Sequence, residues 1–212
     1  MPEENVVLAD GTQVRLRAVR PSDKALLLEG FEELSEQSRY LRFLGTKPRL
    51  SEDELRYLTE LDGDKHVALG AVRVREDGSE EPLAIARFVV SNVDAQVAEA
   101  AVAVKDSMHG KGLGKLLLHR LASVAASHGV TRFRCTVLAD NAAMHALLTD
   151  LDPEAHVVRA ASGAAEIELL VPQPDEDTAV MRRRSLERFL ARVAQQLASQ
   201  TEQPGDGSDK NK

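Results

Sequence analysis

The sequence predicts a mixed fold, α/β in content and α+β in arrangement: a central mixed, mostly antiparallel twisted sheet of about seven strands flanked by helices. Three observations carry this expectation. Residues 66 to 104 hold three strand-like runs in succession, separated by turn residues, as an antiparallel meander requires. Leucines at helical spacing occupy residues 22 to 63 and again 112 to 128. The last strand of the meander also runs directly into the second helical region, through three glycines.

The elements follow in order. Val6 to Leu8 and Val14 to Ala18 flank Asp10-Gly11, and Val14, Leu16 and Ala18 alternate with Arg15 and Arg17, as in an opening hairpin with one buried face. Ser22 or Asp23 caps a helix carrying Leu26, Leu27, Gly30, Phe31 and Leu34, and a second short helix follows Ser35. Ser51 and Glu54 form a capping-box pattern ahead of Leu55, Leu58 and Leu61, in a helix ending by Gly63. Strands are expected at about 66 to 75, 83 to 91 and 97 to 104, with a turn at Asp77-Gly78. Leu113, Leu116, Leu117, Leu121 and Val124 stripe a helix over 112 to 128, and Gly129 is its left-handed terminator. A strand at Arg132 to Leu138, a short helix from Asn141 to Leu148 and strands near 156 to 160 and 165 to 171 complete the order, which condenses to β-α-α-β-β-β-α-β-α-β-β.

Residues 1 to 171 are therefore expected to form one domain, 172 to 200 a C-terminal extension with a helix near 178 to 198, and 201 to 212 a polar, disordered tail. Arg182, Arg183 and Arg184 in that extension are a solvated charge run or a site for an acidic partner. Phe189, Leu190, Val193 and Leu197 form an apolar stripe that docks on the domain or on another subunit, as in a homodimer.

A formal net charge of -7 argues against a nucleic-acid binder, which needs a basic footprint to displace phosphate counterions, and the chain has no tryptophan on which bases could stack. Cys135, the single cysteine, has no partner for an internal disulfide. The sequence shows no charged-then-apolar leader and no apolar stretch long enough to span a bilayer, so a cytoplasmic protein without a membrane partner is expected. No H-x-x-x-H pair or zinc-ligand spacing occurs, and no metal is expected.

The informative stretch is Val102 to Lys115. An apolar strand ends, and His109, Gly110, Lys111, Gly112, Leu113, Gly114 and Lys115 lead into an amphipathic helix. Glycine lets a backbone turn tightly and approach a ligand, while the first amides of a helix have no carbonyl partners of their own. With the helix dipole behind them, such donors suit a phosphate or pyrophosphate. Lys105, Lys111, Lys115 and Arg120 add positive charge, with only Asp106 of opposite sign between them. A solvated, glycine-capped helix start is the alternative. The serine or threonine of a Walker A loop is missing, and Gly110, Gly112 and Gly114 do not give G-x-G-x-x-G spacing.

The stretch resembles motif A of the GCN5-related N-acetyltransferase (GNAT) superfamily, [Q/R]-x-x-G-x-[G/A], with His109 standing where glutamine or arginine is usual, then Gly112 and Gly114. The element order over residues 12 to 171 is similar to the GNAT fold. Arg15 to Asp23 (RLRAVRPSD), Ser35 to Phe43 (SEQSRYLRF) and Ala98 to Val104 (AEAAVAV) look like the acetyltransferase domains of bacterial protein lysine acetyltransferases. The resemblance implies acetyl-CoA as cofactor, with backbone contacts from Val102 and Val104 to the pantetheine arm and from Gly110 through Lys115 to the pyrophosphate. It also implies a contact from Asn141 near the pantetheine; an asparagine N-cap is the other reading of that residue.

An amine nucleophile is mostly protonated at neutral pH, so acyl transfer needs a base. Glu99 is the candidate: it matches the glutamate of the resembled pattern and shares strand parity with Val97, Ala101 and Ala103, so burial should raise its pKa. Alternatively it faces solvent, or pairs with Arg73 or Arg87. Many superfamily members use a tyrosine in the fourth helix as general acid; Met144 to Leu148 contains none, leaving His145 as a substitute or an exposed histidine. Cys135 lies mid-strand with no histidine at local spacing, which favours direct attack by the amine over an acyl-enzyme. A backbone amide near Val102 would polarise the thioester carbonyl. The acceptor implied is a protein lysine. A non-catalytic acyl-CoA sensor and a small-amine or antibiotic N-acetyltransferase are the other readings.

Overall fold

The computed structural model describes residues 3–173. The extension helix near 178 to 198, with its arginine run and apolar stripe, and the tail lie outside the described residues, as does any homodimer contact assigned to them. In order come strands β1 (Glu4–Val7) and β2 (Gln13–Ala18), helices α1 (Lys24–Glu32), α2 (Glu36–Phe43) and α3 (Glu52–Thr59), and strands β3 (His66–Val74), β4 (Glu80–Val90) and β5 (Val97–Val104). Helix α4 (Leu113–Ser127), strand β6 (Arg132–Leu138), helix α5 (Ala142–Leu151) and strands β7 (His156–Ala161) and β8 (Ala164–Leu170) follow. The strands form one sheet in the order β1-β2-β3-β4-β5-β6-β8-β7, antiparallel throughout except for the parallel pair β5 and β6. It has eight strands against about seven expected, and three helices precede the meander where the condensed order has two.

Local chemistry accounts for the boundaries. Gly11 turns the opening hairpin at φ 85° and Gly78 the β3–β4 hairpin at φ 81°, a region in which glycine carries no Cβ penalty. The capping box at α3 is formed: the Ser51 hydroxyl accepts from the Glu54 amide at 3.2 Å while the Glu54 carboxylate accepts from the Ser51 amide at 2.8 Å. Burial divides the two faces by the period of two that a strand imposes. Leu69, Ala86, Phe88, Ala98 and Ala100 pack with Leu113, Leu117, Leu118 and Leu121 of α4. Phe31, Leu50 and Leu55, with Leu27, Phe43 and Leu58, form a second cluster contributed by α1 to α3 and the connection before α3. On α4 the fully buried stripe includes Leu118, Ala122 and Ala125, whereas Leu116 and Val124, placed on the stripe by spacing alone, are only partly buried.

Asp23 precedes α1 as its N-cap residue, but its carboxylate does not bond the helix amides. It accepts instead from Arg17 Nη1 at 2.7 Å and from the Arg20 amide at 2.8 Å. Arg17, only 3% exposed, also bonds Glu80, with Nε to Oε2 at 3.1 Å. Hydrogen bonding to Asp23 outweighs burial and drives the Arg17 pKa up. One guanidinium thus ties β2 to the start of α1 and to β4. Breaking a buried pair from one side strands the other charge, at a cost of about 3–5 kcal/mol. Arg17→Leu is expected to lose close to that amount in urea denaturation; an unchanged midpoint and slope would contradict this.

Candidate active site

Strands β5 and β6 part company early. Their parallel pairing covers only Val97, Ala98 and Glu99 against Arg132, Phe133 and Arg134. On its other edge β5 stays paired with β4 as far as Val104. Lys105 N donating to Leu83 O at 2.8 Å fixes the phase of that ladder, so the odd residues of β5 bond β4 and the even ones turn their backbone groups toward β6. Val102 therefore presents its amide and carbonyl to a gap. Val104 faces the same gap, but its carbonyl is taken by His109 Nε2 at 2.9 Å. A contact from Val104 to a pantetheine arm has to come from its amide or displace the imidazole.

The gap opens onto the loop before α4. Gly110 sits at φ 73° and Gly112 at φ 80°, both left-handed, and a Cβ at either would meet nothing within 4 Å. Gly114 differs: its added Cβ would lie 3.3 Å from Leu147 Cδ1 and 3.4 Å from Val104 Cγ2, so it lets α4 approach α5 and β5. The first helical bond is Leu116 N to Gly112 O, and among the described residues the amides of Gly110 through Lys115 donate to no protein acceptor. Six successive donors at a helix start, in front of open space, are what a diphosphate requires.

Glu99, Val102, Val104, His109, Gly110, Gly112, Leu113, Gly114 and Asn141 all line one groove of about 430 Å³. Lys111 and Lys115 belong to the same loop, but their side chains are held elsewhere. Lys111 pairs with Asp10 at 3.1 Å and Lys115 with Asp150 at 2.7 Å. Lys105 is held by Glu33 and Glu81, and Arg120 by Glu4. The positive patch read from the sequence is thus largely neutralised by carboxylates distant in sequence. Hydrogen bonds from Thr12 and from Lys111 hold the Asp10 pKa down at about 2. Unneutralised positive charge at this loop is therefore left chiefly to the backbone amides.

Asn141 is the N-cap of α5, its Oδ1 accepting from the Met144 amide at 3.1 Å. Asn141 also lines the groove, and its side-chain amide nitrogen has no protein partner among the described residues, so capping and ligand contact are compatible. His145 lies outside the groove lining, and no tyrosine lines it. Cys135 is 1% exposed, and burial pushes its thiol up to about 12, which makes it core and not nucleophile.

Glu99 is exposed, contrary to the burial expected from its apolar strand. Its neighbours Ala98 and Ala100 face α4, so Glu99 lies on the opposite face of the sheet, where the space beside α2 and α3 stays open over it. It forms no ion pair among the described residues. Arg73 pairs with Glu81, and Arg87 bonds Leu58 O and the His66 ring. Glu99 lines both the groove and a second cavity of about 260 Å³ that Tyr57, Arg87 and Val89 also border. Arg42, on α2, shares this position at the junction.

Arg42 was not singled out by the sequence. It lies within the segment Ser35 to Phe43, and the structure shows what that segment does. Asp106, just after β5, accepts from the Ser35 amide at 3.0 Å, the Ser35 hydroxyl at 2.7 Å and the Ser38 hydroxyl at 2.8 Å. Burial opposes its charge, but those bonds prevail and hold the Asp106 carboxyl below its ordinary pKa. The start of α2 is thereby pinned beside the loop, with Arg42 two turns further on at the junction.

With this geometry established, comparison with known proteins is specific. The family model described as Acetyltransferase (GNAT) family matches residues 26–151. The chain is 35% identical over 171 residues to Acetyltransferase Pat of Mycolicibacterium smegmatis, covering 80% of this chain and 49% of that protein. It is 32% identical over 140 residues to Acetyltransferase PA5475 of Pseudomonas aeruginosa, covering 66% of this chain and 73% of that one. The crystal structure of the GNAT domain of S. lividans PAT superposes with a TM-score of 0.70 at 30% identity, covering 79% of this chain and 96% of that one. The chain thus spans about half the length of the first of these curated relatives.

Proposed function

The chain belongs to the acetyltransferase (GNAT) family, whose acyl donor is acetyl-CoA, and from that premise we propose that it transfers the acetyl group to a primary amine, the side chain of a lysine on another protein. The observation that carries the reading is the position of Glu99, a carboxylate without a protein partner at the junction between a groove floored by free amides and a neighbouring cavity. The residues present fit the donor. The amides of Gly110 to Lys115 hold its diphosphate, the free edge at Val102 pairs with its pantetheine arm, and Asn141 bonds the arm from α5. The donor supplies an activated thioester carbon.

The chain's own residues do the rest. Glu99 accepts a proton from the acceptor ammonium, which frees the lone pair for direct attack. The Val102 amide, pointing into the gap, donates to the carbonyl oxygen as charge develops there. No tyrosine lines the groove, and its one imidazole, His109, is engaged by the Val104 carbonyl, so the leaving sulfur takes its proton from solvent through the open groove. The same feature favours a second reading, an acyl-CoA sensor without turnover.

Thiol release from acetyl-CoA, followed with lysine-bearing protein and with small amines, decides between them. Amine-dependent release is expected. Tight acetyl-CoA binding with no release above the uncatalysed rate would overturn transfer in favour of sensing.

A further inference from the structure

The second cavity contains an imbalance of charge. Arg87 is only 6% exposed, nearly as buried as Arg17, yet the two are treated differently by the fold. Arg17 is met by Asp23 and Glu80. Arg87 has no carboxylate within ion-pair distance among the described residues; its named partners are neutral, the Leu58 carbonyl at 3.1 Å and His66 Nε2 at 3.2 Å. Burial, and the charge of Arg87 itself, lower the His66 pKa, so that imidazole accepts from Arg87.

Arg42 adds a second cation. It forms no hydrogen bond and no ion pair among the described residues, and it lines the same cavity as Arg87. The consequences appear in both groups. Burial pulls the Arg87 pKa down to about 10, with the charge of Arg42 as the next cause. Burial also lowers Arg42, with Glu99 opposing. The cavity's other carboxylate, Glu54, is occupied by Lys47 and by the capping box. A buried guanidinium normally has a carboxylate or phosphate partner, since an uncompensated one is costly. Its planar fork binds such groups in two-point fashion.

We propose that Arg42 and Arg87 bind an anionic group, a carboxylate, carried by the acceptor close to its reacting amine. The inference rests on the acyl-transfer reading for the identity of the cavity as the acceptor's side. Glu99 borders the cavity on the groove side, so the amine meets Glu99 while the carboxylate passes inward to the arginines. The carboxylate has two sources, the α-carboxylate of a free amino acid or an acidic side chain next to a target lysine, and the test separates them.

Calorimetry on the full chain saturated with CoA measures binding of two matched pairs: L-leucine against L-leucinamide, and a capped pentapeptide with lysine between two glutamates against the same peptide with glutamines. The carboxylate-bearing member of one pair is expected to bind at least about tenfold more tightly, the scale of a desolvated charge pair. The pair that responds names the source. Arg87→Gln and, separately, Arg42→Gln are expected to erase that preference. A thermal melt of each variant confirms that it is folded at the titration temperature. If both pairs bind without preference, or if the preference survives both substitutions, the inference is wrong. Thiol release with the same compounds is the independent check: transfer to acidic and neutral members alike would sink this inference and leave the acyltransferase reading intact. A preference in binding without release would uphold a carboxylate site at the two arginines but overturn transfer, and with it the assignment of that carboxylate to an acceptor.

Discussion

Glu99→Gln is expected to lower kcat for amine acetylation by about 10²–10⁴-fold, the usual contribution of a positioned base, while the KM for acetyl-CoA stays unchanged. The argument is geometric. The glutamine keeps the shape of the side chain but cannot take a proton from the acceptor. Glu99 forms no ion pair, and its side chain is exposed, so the substitution removes no packing and should leave the melting temperature where it was. Glu99 lines both the groove and the second cavity, so in the proposed function it stands between donor and acceptor and not against the diphosphate. Thiol release at saturating amine, with a thermal melt as control, makes the comparison. A variant that keeps more than about a tenth of the parent kcat would remove Glu99 from the role.

Replacing Gly110 and Gly112 together by alanine is expected to weaken CoA binding at least about tenfold. Each holds a left-handed backbone, at φ 73° and 80°, which costs a residue with a Cβ about 1–2 kcal/mol. Nothing stands within 4 Å of either added methyl, so crowding is not the cause. The loop relieves the strain by rotating its peptides, and the amides cease to converge. Two such penalties together reach the 1.4 kcal/mol that corresponds to a factor of ten. Gly114→Ala is the contrast, since its methyl would press on Leu147 and Val104 and is expected to act on stability before affinity. Titration with CoA reads the first effect. An unchanged Kd in the double variant would mean that the loop does not hold the diphosphate.

Much of the fold was legible because its signals are local. The capping box at Ser51 and Glu54, the turns at Gly11 and Gly78, and the terminator Gly129, found at φ 79°, are each decided by a few neighbouring residues. The glycine loop was legible for the same reason. What the sequence could not show depends on partners far along the chain. Lys111 and Lys115 read as a free positive patch, but Asp10 and Asp150, about 100 and 35 residues away, are folded against them. Glu99 read as buried because its strand is apolar, but burial depends on what covers its face of the sheet, and α2 and α3 leave a cavity there. Arg87 alternates with apolar residues on β4 and looks like any solvent-facing strand arginine until α3 is seen to cover it.

The early parting of β5 and β6 also divides the mechanics of the sheet. Strands β1 to β5 form one leaf and β6, β8 and β7 another, and backbone pairing at only three positions stitches the leaves together. Few backbone hydrogen bonds cross the seam, so the angle between the leaves is held chiefly by the side chains that both pack against α4. A molecule wedged along that seam is gripped by both leaves at once, and its departure leaves the stitching and α4 to carry the load.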